Sequence, residues 1–131
     1  MGYTIATLDD LGAGYGFRKV RKALNVTAFG VNALVFPPHY EGPNHYHDIQ
    51  DELYFVHRGT ATFVFDGDER VVPEGGLVHV ESTTHRAIEN RTDDDLVLLV
   101  VGGSDGYVER DGQVVSAEDL EKRQAMGRWQ Q

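Results

Sequence analysis

Two histidines and a glutamate fall within the short stretch His45-Tyr46-His47-Asp48-Ile49-Gln50-Asp51-Glu52, ahead of a glycine at Gly59. In an extended segment alternate side chains share a face, so His45 and His47 can aim at one point. Imidazole nitrogen and carboxylate oxygen are ligands of divalent transition metals. The plainer alternative is a pair of solvated histidines on a polar loop, in a chain that carries six histidines. A third histidine, His85, follows the turn at Gly67 and opens a short strand-like run. Antiparallel strands distant in sequence can be neighbours, and His45, His47, Glu52 and His85 would then meet inside a barrel. Asp51 is an alternative carboxylate, but it lies at the opposite parity from Glu52.

The elements that must position these residues read as many short strands. Residues 31–36 alternate before Pro37-Pro38 ends the run. Leu53 to Val56 and Thr60 to Phe65 are rich in β-branched and aromatic residues. Asp66-Gly67-Asp68 is a hairpin turn, because glycine takes positive φ readily. Val71-Val72, Leu77 to Val80, His85 to Ile88 and Leu96 to Val101 follow, separated by Gly, Pro or acidic clusters. Phe63, Phe65, Val78, Val80, Leu98 and Val100 are expected in the core, and Asp93-Asp94-Asp95 in a solvated turn. Only residues 116–131 look helical, with Ser116 as cap and Asp119 three residues on, as in a capping box. The expected architecture is all-β, a single barrel or sandwich over residues 1–115 followed by this helical tail.

Composition bounds the function. A chain of 131 residues with 40% apolar and 25% charged residues suits one globular domain. It has no cysteine, which excludes disulfides, zinc-thiolate sites and thiol nucleophiles. A formal charge of −9 argues against nucleic acid as partner. No run is apolar enough to span a membrane, and the N-terminus lacks signal-peptide character, so a cytoplasmic location is expected.

The stretch His45-x-His47-x4-Glu52-x6-Gly59 resembles the first motif of the cupins, and Pro73-Glu74-Gly75 through His85 to Asn90 resembles their second. The resemblance implies a jelly-roll β-barrel (double-stranded β-helix) with a metal held by His45, His47, Glu52 and His85. Two departures stand out. His39 replaces the glycine that usually opens the first motif, with Gly42 nearby as a substitute. The turn before His85 is one residue short, and the stretch from His85 to Asn90 is one residue long. His79, in the preceding strand, is the competing third histidine.

Three imidazoles and a carboxylate would leave six-coordinate iron, manganese or nickel with open positions, whereas zinc would be nearly saturated. The expected function is a metal-dependent, dioxygenase-like oxidoreductase acting on a small organic molecule. A non-catalytic binding or sensor domain and a metal-dependent isomerase are the alternatives. Tyr54, His79 and Glu41 are the candidate acid–base residues. A homodimer is expected, with the strand-like stretch Tyr3 to Leu8 adding to a partner's sheet and Phe17 and Val20, near Arg18-Lys19-Arg21-Lys22, anchoring the contact.

Overall fold

Turn formers cut the chain into short strands, and the computed structural model, which describes residues 2–129, places an element in each interval. β1 (Gly16–Arg18) and the short helix α1 (Val20–Leu24) precede β2 (Gly30–Phe36), β3 (Tyr40–Glu41) and β4 (His45–His47). β5 (Asp51–Arg58), β6 (Ala61–Phe65), β7 (Asp68–Val72) and β8 (Leu77–Val80) form the middle of the chain. β9 (Ala87–Asn90), β10 (Leu96–Gly103), β11 (Gly112–Val114) and α2 (Ala117–Arg128) complete it. Met1, Gln130 and Gln131, at the outer ends of the two expected segments, lie outside the described residues.

One sheet has the order β1-β2-β10-β5-β8, a second β3-β9-β6-β7, and β11 pairs with β4 as a two-stranded ribbon. All the pairings are antiparallel. This is the all-β jelly roll with a C-terminal helix that the sequence implied. β10 is central to the first sheet and alternates strictly, with Leu96, Leu98 and Val100 buried. They meet Tyr54 and Val56 of β5 and Phe63 of β6 in one core cluster. Each such side chain contributes about 1.5–3 kcal/mol on burial.

Local chemistry sets the turns. Asp66 (φ 47°) and Gly67 (φ 87°) both lie in the left-handed region, as a two-residue hairpin of the primed type requires. Gly59 has φ +85°, and a Cβ there would stand 2.5 Å from the Asp95 carbonyl oxygen, so no other residue closes β5 onto β6. His39, where the family motif usually has glycine, also has positive φ (57°), and its Nε2 lies 2.6 Å from Asp93 Oδ1.

The helix is more than a tail. Ser116 caps it by accepting from the Asp119 backbone N–H (3.2 Å), and the Asp119 carboxylate accepts from the backbone of Asn44 (2.9 Å), just before β4. Met126 is buried in the core, and the Tyr40 hydroxyl donates to its sulfur. The N-terminal Tyr3 and Ile5 are exposed, and β1, paired with β2, and β8 are the edge strands of the first sheet. Among the described residues no helix is long and apolar enough to cross a membrane.

Candidate metal centre

β4 is a short strand held between two partners. On one side it pairs with β11, placing Gly112 opposite His47 and Val114 opposite His45. On the other, His45 and Arg86 exchange both backbone hydrogen bonds at 2.9 Å. The pleat turns the His45 and His47 rings inward, with centroids 5.5 Å apart. Glu52, early in β5, reaches the same point, and its Oε1 is 3.1 Å from His47 Nε2. One donor atom from each of His45, His47 and Glu52 lies within 4.8 Å of the others.

His85 is not among them, which corrects the four-ligand expectation. Directly opposed residues of an antiparallel pair project to the same face. The register places Arg86 opposite His45, so alternation sends His85 outward. There its ring stacks on Tyr46 (5.0 Å), the residue between the two inward histidines, and its Nδ1 is 3.5 Å from Asp66 Oδ1. The extra residue between His85 and Asn90 thus has a structural meaning: Arg86 occupies the inward place. His79 is exposed on β8 and Glu41 is exposed beside Lys122, so neither reaches the cluster. Asp51 is also exposed and accepts from the Ser82 backbone instead.

Arg86 is fully buried. Its Nη2 donates to Glu52 Oε1 (2.5 Å), and its Nη1 donates to the carbonyls of Thr84 (2.8 Å) and Ser82 (3.1 Å). Tyr54, on the same face of β5 as Glu52, donates its hydroxyl to that same oxygen (2.5 Å). All the hydrogen bonds to the Glu52 side chain fall on Oε1, leaving Oε2 without a protein donor among the described residues.

Each histidine is oriented through its outer nitrogen. His45 Nδ1 is 3.1 Å from the Pro43 carbonyl, and His47 Nδ1 is 2.7 Å from Asp111 Oδ1. Both oxygens only accept, so each Nδ1 carries the proton; the His45 Nε2 lone pair is left for the cluster, while His47 Nε2 faces Glu52 Oε1 and must release its own proton to ligate. Asp111 also accepts from the backbone of Ile49 (2.8 Å) and Gln50 (2.9 Å) and from the Gln50 amide (2.6 Å). Gly112 leaves room for the His47 ring, whose Cε1 would be 3.3 Å from a Cβ there. Asp111 and Arg86 escape sequence reasoning. The only signal for Arg86 is its spacing to Asn90, and for Asp111 there is no local signal at all.

The electrostatics follow from these contacts. Burial, assisted by the positive charges of Arg86 and His47, pushes His45 down to about 4, so it is neutral near pH 7. Burial alone would also lower His47, but the hydrogen bonds and charges of Glu52 and Asp111 outweigh it and raise the group. Burial would raise Glu52, yet His47, Tyr54 and Arg86 together hold it at about 2. Burial and the adjacent Glu52 charge push the Tyr54 hydroxyl up, so it remains a donor. Asp111 is held below the usual carboxylate range by the donors of Gln50, His47 and Ile49 against the cost of burial.

The donor set suits a divalent ion: two imidazole nitrogens, of which His47 gives up a proton on binding, one ionised carboxylate with a free oxygen, and outer partners that fix the rings. Arg86 limits the set to three protein ligands. The cluster lines a cavity of about 410 Å³, whose walls include Leu34, Phe36, Tyr40, Ile88, Val100 and Met126.

Comparison with known proteins places this geometry. The family model of the cupin domain matches residues 33–102. A sugar phosphate isomerase of the cupin superfamily from Silicibacter pomeroyi is similar at 26% identity and TM-score 0.64, over 78% of this chain and 68% of that one. The DMSP lyase DddQ of Ruegeria pomeroyi shares the fold at 24% identity and TM-score 0.58, over 67% of this chain but only 43% of that one. A cupin protein from Bacteroides fragilis covers 88% of this chain and 99% of its own, at 19% identity and TM-score 0.68. No curated protein matches the sequence.

Proposed function

This chain belongs to the cupin domain family, and from that premise we propose that it is a metal-dependent enzyme, an oxygen-using oxidoreductase acting on a small organic molecule. The observation that carries the reading is the convergence of His45, His47 and Glu52 on one wall of a largely apolar cavity. Two histidines and one carboxylate, with positions left open, form the ligand set of non-haem iron oxygenases. Held by His45, His47 and Glu52, a divalent iron, manganese or nickel would supply redox chemistry toward a small organic molecule and dioxygen. Zinc with three protein ligands also keeps an open position, so the saturation argument drawn from four ligands no longer disfavours it.

The chain's own residues do the rest. Asp111 and the Pro43 carbonyl fix the ring orientations. His47, Tyr54 and Arg86 together keep Glu52 ionised, and Tyr54 presents a protonated hydroxyl to that carboxylate. The apolar walls restrict water around the reacting group.

A metal-dependent isomerase is the second reading. It is favoured by the likeness to the sugar phosphate isomerase and by the Tyr54 hydroxyl held against Glu52, which sets a proton donor beside a carbonyl that a metal would polarise. A cytoplasmic homodimer completes the proposal, with the exposed Tyr3 and Ile5 available to a second copy. The test is oxygen uptake by iron-loaded protein over a panel of small organic acids. Substrate-dependent uptake that is lost in His47→Ala supports the oxidoreductase. Turnover without oxygen consumption supports the isomerase, and tight binding without turnover points to a sensor.

A further inference from the structure

Three members of the basic cluster that neighbours Phe17 and Val20 lie along the cavity. Lys19, Arg21 and Lys22 line it from the start of α1, Arg110 from the segment before β11, and Arg123 from α2. All but Arg21 are exposed, so they mark where the cavity meets solvent. Among the described residues the only lining carboxylate is Glu52, which is already bound to Arg86. This distribution runs against the composition of the chain, which has 21 acidic and 12 basic residues.

Pairing sharpens the contrast. Of the seven cations away from the cavity, Arg18, Arg70, Arg86, Arg91 and Lys122 form ion pairs, and only Arg58 and Arg128 show none among the described residues. None of the five cations at the cavity pairs with a carboxylate among the described residues. Unpaired cations gathered at one opening of an acidic protein are a local anion funnel. Arg21 is also held in place, its guanidinium carbon 3.9 Å above the centre of the Tyr107 ring. Stacking of this kind leaves the N–H edge free for a two-pronged contact with carboxylate or phosphate. Below this rim the walls offer Val31, Leu34, Phe36, Ile88, Val100 and Met126, which suit hydrocarbon better than a hydroxyl-rich sugar.

We propose that the cavity binds an amphiphilic organic anion, whose carboxylate or phosphate head sits among Arg21, Arg110 and Arg123 while its apolar body extends toward His45, His47 and Glu52. The inference rests on the reading of this cavity as the substrate site and adds the class of substrate. It departs from the substrate named for the isomerase neighbour, since it calls for an apolar body.

The test is calorimetric titration of the full-length protein, as purified and after EDTA treatment, with hexanoate, hexyl phosphate, hexanamide and glycerol phosphate. Trp129, the single tryptophan, is 5.5 Å from the ring of the cavity residue Tyr40 and gives a second, fluorescence readout. At least one hexyl anion should bind about tenfold or more tightly than hexanamide, as charge-assisted hydrogen bonds provide. The two hexyl anions then distinguish a carboxylate head from a phosphate. The preference should shrink with added salt in the wild type. It should fall to parity in the Arg21→Gln/Arg110→Gln/Arg123→Gln variant, with hexanamide binding unchanged.

Parity in the wild type, absence of binding by both hexyl anions, or a preference that survives the triple substitution overturns the proposal. Glycerol phosphate binding as tightly as hexyl phosphate overturns the apolar body. An anion preference seen only in metal-containing protein would put the head on the metal and overturn the rim assignment. A preference that persists after EDTA treatment stands whether or not the metal reading does, so the two fail separately.

Discussion

Arg86→Met is the perturbation that probes the centre most sharply without touching a candidate ligand. Arg86 is fully buried, and its partner Glu52 has a side chain only 11% exposed, so both charges are largely withdrawn from water. Removing one member of a buried pair costs about 3–5 kcal/mol, because the other is left uncompensated. A second route gives a similar size. Glu52 is held at about 2 rather than 4.5, which corresponds to about 3 kcal/mol of pH-linked stability. Only part of this belongs to Arg86, since His47 and Tyr54 remain. The Thr84 carbonyl, however, also loses the Arg86 donor, while that of Ser82 keeps the His47 backbone N–H. The expected loss is therefore about 3 kcal/mol near neutral pH, or a fall in Tm of about 10 °C for a domain of this size.

The sign with pH follows from the direction of the Glu52 shift. A carboxyl held below its free value contributes stability that is complete above about 4.5 and disappears as pH falls toward 2. The gap between wild type and variant should thus be widest near neutrality and should narrow below about pH 4.5. Urea denaturation of EDTA-treated protein, followed by far-UV circular dichroism, measures both. A loss under about 1 kcal/mol at neutral pH, or a gap that widens on acidification, would refute the buried-pair reasoning.

Other outcomes follow from the same contacts. Asp111→Asn should weaken metal binding by about 10–100-fold, because the charge that orients the His47 ring is lost; unchanged affinity in a chelator competition would separate Asp111 from the centre. Metal affinity should fall as pH falls, with His47 as the main proton competitor, since its value is raised above 6.5 while His45 is already neutral down to about 4. A flat affinity profile across that range would contradict histidine ligation. Light scattering should give twice the 14.6 kDa chain mass at micromolar concentration, and a monomer mass would remove the homodimer.

The strands were legible because their signals are local. The Asp66-Gly67 turn, the Ser116 cap and the alternation of β10 each depend on a few adjacent residues. His45, His47, Glu52 and Tyr54 were legible for the same reason: they lie within one stretch, where parity alone sets which way each points. His85 and Arg86 were not. Their facing depends on the length of the turn between β8 and β9, and a shift of one residue exchanges inward for outward. Asp111 was hidden because its place beside His47 depends on β11 pairing with β4 across a long span of chain. The helix looked like an appendage because its residues are mostly polar. What ties it in is one buried methionine and the Asp119 contact to Asn44.

The most direct measurement is the metal stoichiometry of EDTA-stripped protein titrated with ferrous, manganous, nickel and zinc ions. Wild type, His85→Ala and the His45→Ala/His47→Ala double variant would be compared by calorimetry and elemental analysis. One ion per chain is expected in the wild type and in His85→Ala, and none in the double variant. Full occupancy in the double variant, or loss of the ion in His85→Ala alone, would contradict a centre built from His45, His47 and Glu52.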